Sequence, residues 1–362
     1  MIFPNYAWHP SDQPEVLKKT DKKALRRGRI LDFFKLLLTN FIWFPYLFIK
    51  FLLKSKTQSP TSQNISFYGI CVNLDKGMEQ VGLIEELGVK SLQIRFFLSD
   101  MENIDKYLEF VKSFLKESDK HKGDDKEIML TIIQSRAHIE DKELLQKDIK
   151  IVFEKFSSIT NEFMIGNAIN RIKWGFVTIE EYLSFFEIIQ QVRDENFPTL
   201  KLIGTSVIDF EYHFTIRTLF NGFKIHFDKV ASLLYVDRRG SPKNTQYGLF
   251  DLQNKVEFLD TIVKSSSKCE DKIYITETNW PLKGTAPYAP TSEKECVSED
   301  DYATYMLEYF SIVAHSQKVQ KVFWHQLISA GYGLVDNRDG KIRKTKAFYE
   351  FKKMVEENQN GK

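Results

Sequence analysis

Cysteine is scarce in this 362-residue chain. Its three cysteines, Cys71, Cys269 and Cys296, are odd in number and far apart, and no C-x-x-C pair occurs. A disulfide framework and a cysteine zinc site are thereby disfavoured, and a reducing compartment is the simpler setting. The seven histidines form no H-x-H or H-x-x-x-H pair. Metal-ligand spacing is therefore missing, and neither a metal nor another cofactor is expected. A glycine-rich phosphate loop is also lacking: the first apolar run is followed by Asn73-Leu74-Asp75-Lys76-Gly77, which argues against a dinucleotide fold. Net charge is small, +2, but unevenly spread. Residues 1–64 hold 11 Lys/Arg against 4 Asp/Glu, and the remainder 40 against 45. The body thus lacks the basic clustering that a phosphate track demands, and nucleic acid is excluded as its partner.

An uninterrupted apolar run of about 20 residues, the length of a bilayer span, is absent as well. Between Ile30 and Leu53, 18 of 24 residues are apolar, but the charge-free stretch Leu36–Ile49 has only 14 residues and contains Pro45. Lys18, Lys19, Lys22, Lys23, Arg26, Arg27 and Arg29 precede it. Basic residues beside an aromatic-rich apolar helix suit an anionic headgroup layer. Three readings stay open: a peripheral anchor on the cytoplasmic leaflet through residues 18–53, a helical pair packed on the body or at an interface in a cytoplasmic protein, and an export signal. The late basic region and the want of a small-residue cleavage site after Leu53 disfavour the last.

The sequence then divides into a basic segment (1–29), an apolar helical segment (30–53), a Ser-Pro-containing linker (54–64), a body (65–358) and a tail (359–362) expected to fray. With 43% hydrophobic residues the body has a real core. In it, β-rich runs alternate with helical patterns. The strands are predicted at Ile65–Leu74, Ser91–Leu98, Glu127–Gln134, Glu162–Asn167, Leu200–Ile208, Val230–Val236, Lys272–Thr278 and Lys321–Leu327. Near-continuous apolar strands imply parallel pairing covered on both faces, and eight such units predict an α/β fold, a (β/α)8 TIM barrel with an N-terminal extension. An open doubly wound sheet is the alternative.

A barrel of this kind gathers its chemistry at the C-terminal ends of its strands. The residues expected there are Arg95, then Gln134, Arg136 and His138, then Asn167, Ala168, Asn170, Arg171 and Trp174. Asp209 follows, then Tyr235, Asp237, Arg238 and Arg239, then Glu277, Asn279 and Trp280, and finally Trp324, His325 and Gln326. The set is aromatic and polar, suited to stacking on sugar C–H faces and bonding to hydroxyls. Glu277 is the one carboxylate inside a strand end, in Ile273-Tyr-Ile-Thr-Glu277-Thr-Asn-Trp280. It must be desolvated or paired. Arg95 is the expected counter-charge and Tyr235 the expected donor, and both would hold Glu277 ionised, as a nucleophile requires. A purely structural Glu–Arg pair is the competing reading. Glu162, at the start of strand four, lies at the wrong end of the barrel. Trp324 is expected to be a sugar platform, because His325 and Gln326 beside it are polar.

Two segments carry a resemblance. Phe163-Met-Ile-Gly-Asn167-Ala168-Ile-Asn170 resembles the strand-four signature of clan A glycoside hydrolases, retaining (β/α)8 enzymes, and Ile273–Trp280 resembles their strand-seven signature, which carries the nucleophile. The resemblance implies an oligo- or polysaccharide partner, lipid-linked or free. It implies Glu277 as nucleophile, and Arg95, Asn167, Tyr235 and Trp324 as site residues. His138, Asn170, Asp237, Arg238, Asn279, Trp280 and Gln326 are further candidate sugar contacts. One departure matters. The clan's strand-four motif is Asn-Glu, with the Glu as acid/base; here it is Asn167-Ala168. Retaining hydrolysis uses two carboxyls about 5–5.5 Å apart, and alanine transfers no proton. General acid–base help is typically worth ~10²–10⁴-fold, so an alkyl glycoside is expected to be a poor substrate. A membrane-bound scaffold or a barrel enzyme of another chemistry stays open beside two functions that the resemblance implies. In one, the protein is a glycosidase or transglycosidase whose donor is Asp209, Asp237, His138 or His325, or whose leaving group needs none, such as a sugar phosphate clamped by Arg136, Arg171, Arg238 and Arg239. In the other it is a glycan-binding protein without turnover.

Overall fold

The computed structural model describes residues 8–9, 13–14, 19–54, 64–118, 126–237 and 240–360. Eight strands close into one parallel barrel: β1 (Tyr68–Val72), β2 (Ser91–Phe97), β3 (Glu127–Ile133), β4 (Glu162–Ile165), β5 (Lys201–Ile208), β6 (Lys229–Leu233), β7 (Ile273–Thr278) and β8 (Val319–Trp324), with β8 pairing β1. The open-sheet alternative is thereby removed. Several predicted strands run too long at the mouth. The first is trimmed to Tyr68–Val72 between 3-10 turns, and the sixth ends at Leu233. The excess residues are apolar because the loops that leave the barrel are themselves buried: Leu234, Val236 and Leu327 are all covered.

Both strand faces are apolar for different reasons. Alternate residues such as Ile70, Leu92, Ile94, Leu130 and Ile132 point out under the helices. Met129, Met164, Ile203, Ala231, Leu233, Tyr274 and Phe323 fill the interior, as a barrel of this size requires. The N-terminal end is closed by Glu162, which holds the Lys229 ammonium and the Tyr274 hydroxyl, with Lys321 on Glu127 beside it. Glu162 thus lies at the end opposite the mouth.

The covering helices are α3 (Glu79–Leu87), α4 (Ile104–Ser118), α5 (Arg136–Glu140), α6 (Lys142–Phe156), α7 (Ile179–Asn196), α8 (Tyr212–Leu219), α9 (Leu252–Val263), α10 (Glu299–Ser316) and α11 (Lys346–Asn360). Asp141, Thr178, Asp251 and Ser298 cap four of them, each side chain accepting a backbone N–H of the first turn, where Asp, Ser and Thr stabilise helix starts best. Helix α11 continues to Asn360, into the segment expected to fray.

Ahead of the barrel lie α1 (Lys19–Arg27) and α2 (Ile30–Leu53). Helix α2 is long and apolar enough to cross a membrane by length and composition. It is packed along the barrel. Trp43 stacks on Phe220 at 4.2 Å, Phe51 lies against Phe250 and Phe258, and Asn40 donates to the His213 carbonyl at 2.8 Å. Residues 55–63 of the predicted linker lie outside the described residues.

Candidate active site

The chemistry of the mouth begins with a break in register. Along β7, Ile273 and Ile275 point outward and Tyr274 inward, so strict alternation would send residue 277 outward too. The β7–β8 ladder, however, passes from Ile275↔Val322 to Thr278↔Trp324. The extra residue in β7 is a bulge, a device that re-aims a side chain. It turns Glu277 into the mouth.

There Tyr235, just beyond β6, donates its hydroxyl to Glu277 Oε1 at 2.6 Å, the length of a charge-assisted O–H···O⁻ bond. His325 Nδ1 stands 3.9 Å from Oε2. The His325 ring is stacked on Tyr332 at 5.6 Å, and its carbonyl accepts the Asn279 amide. These groups line a hollow of about 160 Å³ together with Arg95, Arg171, Lys173, Trp174, Ile208, Asp209 and Pro290. Arg95 shares the hollow with Glu277, and its guanidinium lies 5.4 Å from the Trp174 ring and 5.5 Å from that of Phe97. Arg171 is held by Asp209 at 2.6 Å and Glu211 at 2.7 Å. Burial alone would lower its pKa, but these two carboxylates outweigh that and raise it. A second hollow of about 360 Å³ shares Asp209 and Tyr235 and adds Phe210, Asp237 and Tyr247, so the depression continues over the loops after β5 and β6.

At the end of β4 the chain turns through Gly166 (φ 79°) and Ala168 (φ 45°). A left-handed alanine is uncommon. The Ala168 methyl is fully buried and joins the inner cluster that includes Tyr235, with Trp174 and Ile208 packed against it. Ala168 thus shares an inner cluster with Tyr235, the donor to Glu277. Asn167 is fixed by Gln134, which accepts its N–H and donates to its carbonyl, both at 2.9 Å. The Asn167 side-chain Nδ2 is buried and meets no protein acceptor among the described residues.

Other predicted contacts are not brought here. His138 sits in α5, with Nδ1 2.6 Å from Ser135 Oγ and Nε2 2.9 Å from Asp148. Both ring nitrogens are committed because Ser135 starts a helix where a longer strand end was expected. Asn170 braces the neighbouring strand, accepting from Ile208 N–H and donating to its carbonyl and to Glu211. Gln326 is fully buried between Asn73 and Tyr332. Trp280 and Trp324 are fully buried and stack on each other at 5.8 Å beneath α10, with their indole N–H groups on Gly240 and the Tyr302 hydroxyl. The expected sugar platform at Trp324 is a core residue: Phe323 takes the inward place on β8, so Trp324 must face the helices. Asp237 lines the second hollow, and Arg238 lies outside the described residues, as does Arg239. Arg136 is buried against Glu140 and Glu181, so the four-arginine phosphate clamp is not assembled by the described residues. Of the alternative proton donors, Asp209 and His325 reach the Glu277 hollow. Sequence reasoning missed Ile208, at the end of β5, and Lys173 and Pro290, which loop geometry alone delivers.

Comparison with solved structures places this architecture. A beta-glucosidase from Thermotoga maritima in complex with glucoimidazole matches with TM-score 0.57 at 12% identity, over 83% of this chain and 99% of that one. A family 39 glycoside hydrolase from Bacteroides cellulosilyticus matches with TM-score 0.61 at 13% identity, over 81% and 64%. The virulence factor SghA from Agrobacterium tumefaciens matches with TM-score 0.56 at 10% identity, over 81% and 97%. The chain shares the (β/α)8 fold of these proteins. No protein-family model matches the sequence, and no curated protein is similar to it. The likeness is therefore one of architecture, carried by the closed parallel barrel.

Proposed function

We propose that the hollow binds a sugar ring and that Glu277 attacks its anomeric carbon. The observation that carries this reading is the Tyr235–Glu277 hydrogen bond of 2.6 Å at the mouth of a closed barrel. A tyrosine hydroxyl keeps the carboxylate oriented while the ring enters beside Trp174. In the first step Glu277 forms a bond to C1, and the bond from C1 to the leaving oxygen breaks, its electron pair going to that oxygen. With alanine at 168, no side chain at that position protonates the leaving oxygen. The reaction is therefore confined to glycosides whose leaving group is already a weak base, or to those served by His325 or Asp209. Water or another sugar hydroxyl then releases the glycosyl group. The second reading, glycan binding without turnover, is favoured by the fully buried methyl of Ala168.

We also propose that the chain works at a membrane surface on lipid-linked or surface polysaccharide, because α2 is the most exposed apolar element. The deciding experiment uses 2-deoxy-2-fluoro aryl glycosides and intact-protein mass spectrometry. The first reading expects a covalent adduct on Glu277 that Glu277→Ala abolishes. The binding reading expects no adduct but a sugar affinity that Glu277→Ala weakens. Neither adduct nor any change in glycan binding would end both.

A further inference from the structure

Helix α2 is apolar on both sides. Toward the barrel it packs Trp43, Leu47 and Phe51, and it is tied there by Asp32 and Asn40 and by the flanking Arg29 and Lys54, bonded to Thr178, the His213 carbonyl, Glu181 and Asp260. Its opposite face carries Leu31, Phe34, Leu37, Phe41, Ile42, Tyr46, Ile49 and Leu53, which are 52–81% exposed. A helix on a water-facing surface is apolar in and polar out, whereas here the outward face is apolar as well. The barrel does not account for that face, because it already covers the opposite side.

The helix also has a direction. Arg29 and Asp32 meet the first turn of α7, at the mouth end of the barrel, whereas Lys54 meets the last turn of α9, at the other end. The exposed basic residues Lys23, Arg26 and Arg27 of α1 thus lie on the mouth side. An apolar groove of about 510 Å³ between α2 and α9, lined by Tyr46, Ile49 and Leu53 with Lys50 and Lys264 at its rim, continues the same face.

We infer that this face lies in the plane of an anionic membrane leaflet, so that the barrel rests on its flank and the mouth opens along the lipid surface. This deepens the membrane reading above and rests on the glycan reading only for what the mouth receives. The occupant is lipid, not a second copy. A two-fold pairing of α2 faces would bring together two leaders with seven excess positive charges each, whereas an anionic headgroup layer neutralises them. Spanning is disfavoured because the contacts with the barrel run from Arg29 to Lys54.

The test uses the full chain and vesicles of phosphatidylcholine with or without phosphatidylglycerol. Binding is expected to be at least about tenfold tighter to the anionic vesicles at low salt, and the Leu37→Glu/Phe41→Glu variant is expected to lose at least that much. Circular dichroism and turnover of a soluble aryl glycoside, neither of which needs lipid, report folding and the glycan reading separately. For depth, spin labels are placed at Phe34→Cys, Phe41→Cys and Leu52→Cys; the native cysteines are buried. Residues 34 and 52 are about 27 Å apart along a helix. In-plane docking predicts three similar shallow depths. Depths graded across the bilayer overturn the inference, as does a dimer in solution that the double variant dissociates without any vesicle binding.

Discussion

Lys255 offers the sharpest physical test of the structure behind the site. It lies on α9, 1% exposed, with its Nζ 3.4 Å from the carbonyl of Tyr235 and 5.2 Å from the Phe210 ring centroid. Burial pushes its ammonium down from the ordinary 10.5 to about 8, and the carboxylates of Asp237, Asp209 and Asp251 only partly oppose that. Each pH unit of difference between folded and unfolded chains corresponds to about 1.4 kcal/mol, so the full gap is about 3 kcal/mol. The sign follows from proton counting. Between about pH 8 and 10.5 the unfolded chain holds a proton on Lys255 that the folded chain has released, so stability rises with pH across that window. Below pH 8 both forms are charged and the folded chain carries the penalty. The perturbation is Lys255→Met, which keeps the length of the side chain and removes the titration. Urea unfolding of both proteins, followed by circular dichroism from pH 7 to 10, isolates the lysine because all other groups titrate alike in the pair. The variant is expected to be the more stable at pH 7, with the difference shrinking by up to about 3 kcal/mol towards pH 10.5. A difference independent of pH would refute the buried placement of Lys255, and with it the packing behind Tyr235.

Four further outcomes are expected. Tyr235→Phe removes a hydrogen bond to a charged group, worth about 1.5–3 kcal/mol, so turnover of aryl glycosides should fall roughly 10–150-fold with the melting temperature little changed. Trp324→Ala should cost about 3–5 kcal/mol of stability, the penalty for a large core residue, and an isothermal titration should find sugar affinity unaltered in the folded fraction. Ala168→Glu puts a longer side chain where the methyl is fully buried, overpacking that costs about 1–3 kcal/mol, and hydrolysis of unactivated glycosides is expected to appear. For Glu181, burial would raise the pKa, but Arg136 and Arg29 outweigh it and the pKa is lowered. Its stabilisation is therefore present above about pH 4.5 and lost as pH falls below that, and Glu181→Gln should flatten the acid limb of a stability–pH curve.

What the sequence determined by itself is the periodic part of the molecule. Parallel strands buried on both faces must be written as apolar runs, and amphipathic helices between them leave few alternatives to a barrel. Glu277 also stood out, because a carboxylate among strand residues is costly unless it is used. Tertiary structure alone decided which way residues face. When both sides of a strand are apolar, alternation does not say which parity points inward. Trp324 consequently read as a platform although Phe323 holds the inner place, and Glu277 reaches the mouth only through a bulge in the β7–β8 ladder. His138 was drawn into a helix by the Ser135 cap, a local bond that shortened the strand end. In α2 the apolar composition was plain. That Trp43 and Phe51 turn toward the barrel while Phe34 and Phe41 turn away depended on Phe220, Phe250 and Phe258 being there to receive them.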